Sequence, residues 1–203
     1  MAIFQRRPRC SSGLMSIFVL LVSLSAFTAS EPQAEKTKPS KKASTVSLGS
    51  DSYDVYSALL SQHYRGWFRK DAVVKIAAYT TVPSHGPGGH LIEQCASEAE
   101  NDTDRDLIKQ LSSDQSPRQK LEAKLHVPGR YTIVDGKADL QEGTEPGIAW
   151  LSSVAFSKDR RHAMLWVRNY CGGLCGSGMM WKVDRTEHGW HVAGFVRNCG
   201  FIS

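Results

Sequence analysis

Several short motifs that mark familiar enzyme active sites are absent from this chain of 203 residues. It contains no G-x-S-x-G, no phosphate-binding G-x-x-x-x-G-K-[ST] loop, no G-x-G-x-x-G after a predicted strand and no H-E-x-x-H. C-x-x-C and C-x-x-C-H are missing too, so the usual dithiol redox motif and the usual haem attachment are excluded. The sequence therefore predicts no catalytic residue, no cofactor and no metal site by motif.

A strong excess of basic residues is also missing once the first 30 positions are set aside. The whole chain has 25 Lys and Arg against 20 Asp and Glu, a formal net charge of +5. Residues 1–30 contain three of the basic residues and none of the acidic ones, which leaves 22 against 20, or +2. This balance gives no reason to expect a nucleic-acid partner.

The N-terminus has the pattern of a secretory signal peptide. Arg6, Arg7 and Arg9 precede an uncharged stretch with the apolar core Ile17-Phe-Val-Leu-Leu-Val22, and small residues follow at Thr28 and Ser30. The apolar stretch is shorter than the roughly 20 residues that span a bilayer. We therefore predict that residues 1–30 are cleaved, that no stable membrane span remains, and that the protein is periplasmic or extracellular.

Residues 31–49 form a predicted disordered linker rich in Lys, Pro and Ser. Four lysines lie in it, Lys36, Lys38, Lys41 and Lys42, and a specific contact of these lysines with anionic lipid or cell wall is the alternative. The remaining stretch, residues 50–203, has the length of one ordinary domain. We predict a single domain there.

The first half of this domain contains the predicted helices. Apolar residues at spacings of three and four predict an amphipathic helix over residues 51–64, and a short β-branched run predicts a strand over 72–80. Residues 81–100 are predicted to be a long irregular loop of unknown role because they contain Ser84-His-Gly-Pro-Gly-Gly-His90. Two short helices are predicted at 103–111 and 116–125.

The C-terminal third has the pattern of a β-meander. Apolar runs separated by turn residues predict strands, and Ala163-Met-Leu-Trp-Val167 is apolar on both faces, as in a central strand. The predicted fold class is α+β, with the N-terminal helix and the short helices packed on one side of a mostly antiparallel sheet. Trp150, Trp166, Trp181 and Trp190 are predicted core residues, one or two of which could line a ligand pocket.

The segment between Tyr170 and Gly178, Tyr-Cys-Gly-Gly-Leu-Cys-Gly-Ser-Gly, is the most unusual part of the sequence. It contains Cys171 and Cys175, and an exported chain is expected to oxidise its cysteines to disulfides. Three connectivities are open, and we favour Cys171 with Cys175 and Cys95 with Cys199, since Gly172 and Gly173 permit chain reversal. A turn at Thr186-Glu187 would place Gly178 opposite Phe195 and Cys199 beside Cys175.

Two chemical readings of these cysteines compete with the disulfide reading. A nucleophilic Cys175 could lie among the backbone N–H groups of the glycine-rich loop, with one of six histidines as its base: His85, His90, His126, His162, His188 or His191. The second reading is a zinc site formed by Cys171 and Cys175, which are spaced as C-x3-C, with His188 and His191. These spacings match those of known zinc sites only loosely.

The chain resembles a family of exported bacterial proteins of uncharacterised function that carry a C-G-x-L-C-G-x-G motif before a C-terminal β-hairpin. The resemblance covers Tyr53-Asp-Val-Tyr-Ser-Ala-Leu-Leu, Ser153-Val-Ala-Phe156, the cysteine-glycine run and Trp181-Lys-Val with Gly189-Trp190. It implies an exported domain and carries no activity with it. We therefore predict a disulfide-stabilised, non-enzymatic domain that binds a small molecule or an envelope protein, with a Cys175-dependent or other hydrolytic enzyme as the alternative.

Overall fold

The structure, a computed structural model, describes residues 48–83, 91–112, 118–135, 147–172 and 175–202. The predicted signal peptide and all but the last two residues of the predicted linker lie outside these ranges. The chain divides between Ser40 and Lys41, and every described element belongs to the unit Lys41–Ser203. No helix among the described residues is both long and apolar enough to cross a membrane.

Three α-helices and one short 3-10 helix lie in the described chain. Helix α1 spans Ser50–Gln62, the 3-10 helix spans Arg65–Trp67, α2 spans Leu91–Ser97 and α3 spans Asp102–Ser112. The predictions of α1 and α3 are confirmed. Helix α2 corrects the prediction that residues 81–100 are irregular throughout, because apolar residues at helical spacing pack its inner side against the neighbouring core: Ile92, Cys95 and Ala96.

The helix predicted at 116–125 is wrong in its described part, residues 118–125, which run as extended and irregular chain. Backbone groups that would be hydrogen-bonded within a helix instead form hydrogen bonds with distant parts of the chain. The Leu121 N–H donates to the carbonyl of Ala78, while the Glu122 N–H donates to the hydroxyl of Tyr53 at 2.9 Å. Contacts with the sheet edge and with α1 thus outweigh the local helical propensity of this segment.

Seven strands in the described ranges form one mixed sheet. They are β1 (Val73–Ala77), β2 (Arg130–Val134), β3 (Ile148–Leu151), β4 (Ala155–Phe156), β5 (His162–Gly172), β6 (Cys175–Thr186) and β7 (Gly189–Ile202). The order is β2-β1-β3-β5-β6-β7, with β4 paired to β5; β1 pairs in parallel with β2 and β3, and the other pairings are antiparallel. The predicted α+β class and the terminal meander are confirmed.

Helices cover both faces of the sheet, which corrects the prediction that they lie on one side. On one face, α1 packs against Leu165 and Val167 of β5 and Trp181 of β6. On the opposite face, α2 and α3 pack against Met164 and Trp166 of β5. Since consecutive strand residues point to opposite faces, both sides of β5 are buried, as the apolar run at residues 163–167 predicts.

The register of the last hairpin differs from the predicted one. Thr186 pairs with Gly189, and Gly178 faces Phe201 instead of Phe195. The turn contributes, because Gly189 pairs with Thr186 and not, as a turn at Thr186-Glu187 would require, with Asp184. Bulges in β7 add the rest, since the two steps of β6 from Met179 to Trp181 are matched by five steps of β7 from Phe195 to Gly200. Asn198, inside the larger bulge, has a positive φ of 52°. Cys199 therefore lies away from the Cys171–Cys175 end of the sheet.

Candidate functional site

The glycine-rich motif forms the end of the hairpin that joins β5 to β6. Gly172 pairs with Cys175, Tyr170 with Gly176 and Arg168 with Gly178. The Cys171 and Cys175 side chains lie outside the described structure. Their predicted disulfide, and the alternative of Cys175 as a nucleophile, therefore stay predictions.

The structure contains the other disulfide that the sequence analysis favours, between Cys95 and Cys199. It connects α2 to the bulge of β7, with a Cα–Cα separation of 4.8 Å across 104 residues of sequence. Both cysteines are buried in the core beneath α2 and α3. If this link forms, Cys171 and Cys175 are the two mature cysteines that remain to pair.

Three of the six candidate histidines lie at the wrong end of the hairpin to act as a base for Cys175. His162 pairs with Asp184, and His188 and His191 lie at or next to the turn between β6 and β7. Nine residues of β6 separate Asp184 from Cys175, roughly 30 Å at the rise of an extended strand. The same separation excludes a zinc site shared by the two cysteines with His188 and His191. Among the described residues, no group of His, Cys, Asp and Glu could hold a metal.

The four tryptophans predicted to be core residues divide into two groups. Trp166, Trp181 and Trp190 are buried, so their prediction as core is confirmed. Trp150 on β3 is only half-buried. It lies on the same face of the sheet as α2 and α3, because its neighbours Ala149 and Leu151 point to the α1 face.

Trp150 contacts one arginine and one further aromatic ring. The guanidinium of Arg168 lies 5.6 Å from the ring centroid of Trp150, its neighbour across β3 and β5, and the Tyr170 ring lies 6.4 Å from the Trp150 ring. All three side chains are half-buried. In the described part of the chain no carboxylate forms an ion pair with Arg168. We call Trp150, Arg168 and Tyr170 the arginine site.

Gly178 of the motif lies beside the arginine site, as the cross-strand partner of Arg168. A Cβ atom at Gly178 would lie 2.4 Å from Cζ2 of Trp166 and 2.5 Å from Cε1 of Phe201, so the two rings occupy the space above the glycine. Real Cβ atoms do not approach other atoms so closely. The position therefore requires glycine, and the row of facing residues across the sheet is Trp150, Arg168, Gly178 and Phe201.

The indole of Trp166 presents an unused hydrogen-bond donor next to this row. Its Nε1 is buried and has no hydrogen-bond partner among the described residues, and the whole side chain is buried. Nε1 and Cζ2 are both bonded to Cε2, so the N–H lies on the ring edge that approaches Gly178. Gly178 is the cross-strand partner of Arg168. Trp166 and Arg168 lie two residues apart on β5, so an acceptor bound at the arginine site would lie on the same face of the sheet as this donor.

A second cluster of charges, at the start of α3, is satisfied within the chain. Lys182 lies with its ammonium 2.6 Å from Glu100 and 3.5 Å from Asp104. Burial acts to lower the pKa of Lys182, but the two carboxylates outweigh this effect and raise it, while the hydrogen bond from Lys182 lowers the pKa of Glu100. This arrangement holds α3 against β6, and each of the three charged groups has a partner within the chain.

Sequence reasoning missed Arg168 and Tyr170. Their signal was the alternation Trp166-x-Arg168-x-Tyr170, which places three side chains on one face of a strand that is otherwise apolar. A buried strand that ends in polar and aromatic residues indicates a binding site at that end.

The arginine site fits a ligand with an acidic group and a planar apolar body. A guanidinium binds carboxylate or phosphate oxygens through two parallel hydrogen bonds, and aromatic rings pack on flat apolar groups. No protein family model, no curated protein and no solved structure was found to match the chain.

Proposed function

We propose that this protein is an exported, disulfide-stabilised, non-enzymatic domain that binds a ligand at the arginine site. The ligand class is a small molecule, or an exposed group of an envelope protein, that joins a carboxylate or phosphate to a flat apolar moiety. The observation that carries the proposal is Arg168, a half-buried cation held against the Trp150 ring with no carboxylate paired to it among the described residues.

The electrostatics of Arg168 support an anionic ligand. A charged group that loses part of its hydration costs free energy unless an opposite charge or hydrogen bonds replace the water. The Trp150 ring face compensates for part of this lost hydration through a cation–π contact, worth about 0.5–2 kcal/mol. A bound carboxylate or phosphate would add charge-assisted hydrogen bonds of about 1.5–3 kcal/mol each.

The buried N–H of Trp166 supports the same ligand class. Buried donors in folded proteins nearly always have an acceptor, so a bound acceptor that reached the Trp166 N–H would satisfy a donor that has no partner among the described residues. An acid group has several acceptor oxygens and can satisfy Arg168 and Trp166 together. A neutral apolar ligand would leave both unsatisfied.

Export is part of the proposal and is supported by the signal-peptide pattern of residues 1–30 and by the Cys95–Cys199 disulfide. The resemblance to exported bacterial proteins points the same way. Fractionation of producing cells, with mass spectrometry of the N-terminus, tests it. A mature chain starting between Ala29 and Pro32 outside the cytoplasm is expected.

Calorimetric titration tests the ligand class with defined probes. Phenyl phosphate and benzoate carry an acid on a flat ring, whereas benzyl alcohol has the ring without the charge. We expect the two acids to bind and the alcohol to bind much more weakly. Replacing Arg168→Gln should weaken the acids about 10- to 100-fold, the effect of losing charge-assisted hydrogen bonds.

Arg185 provides a matched control. Its guanidinium lies 5.6 Å from the Trp190 ring centroid, the same contact that Arg168 makes with Trp150, but at the other end of the sheet. Arg185→Gln should leave the titrations unchanged. Equal losses in both variants, or equal affinity for benzyl alcohol and phenyl phosphate, would refute the proposal.

A count of free thiols in the same non-reduced protein addresses the alternative function. The proposal predicts none, because Cys171 and Cys175 are expected to be linked. One reactive thiol at Cys175 would favour the cysteine-dependent enzyme instead.

A further inference from the structure

A second surface lies on the opposite face of the sheet from the arginine site, where α1 ends. Rings from the end of α1 and from the last hairpin contact one another there: His63, Tyr64, Trp67, Trp181 and Phe195. Trp181 is at the centre, 3.9 Å from the His63 ring and 5.8 Å from the Phe195 ring, by centroids. Its Nε1 donates a hydrogen bond of 2.9 Å to the Tyr64 hydroxyl. Trp181 is buried, whereas the other four side chains are half-buried or exposed, and we call these four, His63, Tyr64, Trp67 and Phe195, the aromatic surface.

The aromatic surface continues into exposed apolar side chains beyond the end of α1. Phe195 is 48% exposed and Ile202 is 84% exposed, and both pair with residues of β6 that point to the α1 face, Trp181 and Ser177. Together with Met179 they line a cavity of about 340 Å³. An exposed phenylalanine and isoleucine on one cavity indicate a surface that meets something apolar.

Cationic side chains adjoin the same surface. The segment His63-Tyr-Arg-Gly-Trp-Phe-Arg-Lys70 places three basic residues among its rings, and Arg65 and Lys70 are exposed. No acidic residue lies in the segment. Ring contacts join it to Phe195 through Tyr64 and the buried Trp181, so the basic segment and the exposed Phe195 adjoin the same buried ring.

We propose that this surface docks on an anionic lipid bilayer. Aromatic rings occupy the boundary between headgroups and acyl chains, and each Lys or Arg near an anionic membrane adds about fivefold to the affinity. A second copy of the chain fits less well, because a two-fold contact through this patch would bring the same cations together. The bilayer supplies both the apolar layer and the negative charge.

Vesicle binding tests this docking with the mature chain that the proposed export would produce. Vesicles contain phosphatidylcholine alone or equal parts of phosphatidylcholine and phosphatidylglycerol. We expect binding to the anionic vesicles only, with loss at high salt. Arg65→Gln with Lys70→Gln should weaken binding about 30-fold, and Phe195→Ser with Ile202→Ser at least tenfold.

The control pair Tyr79→Ser and Val82→Ser removes apolar side chains that are also exposed, 40% and 37%, but lie elsewhere on the domain. Its binding should equal that of the parent chain. The proposal is overturned if neutral and anionic vesicles bind alike, if either pair of surface variants binds as the parent does, or if sedimentation shows a dimer that the Phe195 and Ile202 changes dissolve. Circular dichroism of each variant separates lost docking from lost folding.

Discussion

The replacement Gly178→Ala tests how the glycine motif supports the arginine site. A Cβ at this position would meet Cζ2 of Trp166 at 2.4 Å and Cε1 of Phe201 at 2.5 Å. Trp166 is fully buried and cannot move without displacing its neighbours, so the added methyl group overpacks the core at a cost of about 1–3 kcal/mol. Replacing a glycine in a strand by alanine stabilises the fold by about 0.5–1 kcal/mol, because alanine loses less conformational entropy on folding. We therefore expect a net loss of stability of about 1–2 kcal/mol.

Thermal unfolding followed by circular dichroism measures this loss. For a domain of this size the expected fall in Tm is about 2–8 °C. Gly66→Ala is the control, because nothing lies within 4 Å of the added Cβ and stability should be kept or slightly raised. In a Phe201→Ala background, where one of the two crowding rings is gone, Gly178→Ala should cost less. A Gly178→Ala protein with the parent Tm would refute the reasoning.

Three further predictions concern the folded core. Replacing Cys95 and Cys199 by Ser should lower stability by about 2–5 kcal/mol in denaturant unfolding, because the disulfide closes a loop of 104 residues. Burial raises the pKa of Tyr64 to about 12, against the opposing effect of the hydrogen bond from Trp181. Tyr64→Phe should lower the free energy of unfolding by about 1–3 kcal/mol, because it leaves the Trp181 N–H unpaired. Desolvation lowers the pKa of His63 in the folded protein, so the unfolded chain takes up a proton at a higher pH than the folded chain does. The Tm should therefore fall as the pH drops below about 6.5, and it should fall less steeply in His63→Gln. Parent-like unfolding in any of these variants would contradict its interaction.

The elements with strong periodicity could be predicted from the sequence. Helices α1 and α3 carry their buried residues at helical spacing, and the run at 163–167 is apolar on both faces because helices cover both sides of β5. The helix predicted at 116–125 failed in its described part because the competing partners, among them the Tyr53 hydroxyl, come from distant parts of the chain. Local propensity holds no information about such partners.

The candidate site depended on contacts that local patterns do not encode. Trp150 and Arg168 meet only because β3 pairs with β5 in one particular register. The predicted register of β7 was wrong in part because a bulge of several residues, with Asn198 at positive φ, has no clear sequence signal. Gly178 was recognised as unusual from the sequence, but its role follows from the two rings that lie above it.

The indole N–H signals of the protein in solution test the central claim most directly. Each of the five tryptophans gives one such signal in a proton–nitrogen correlation spectrum, and Trp166→Phe assigns that of Trp166. On titration with phenyl phosphate, the account predicts that the Trp166 signal shifts as its Nε1–H gains an acceptor, that the Trp150 signal shifts with it, and that Arg168→Gln abolishes both changes. A Trp166 signal that stays in place while phenyl phosphate binds would contradict the account.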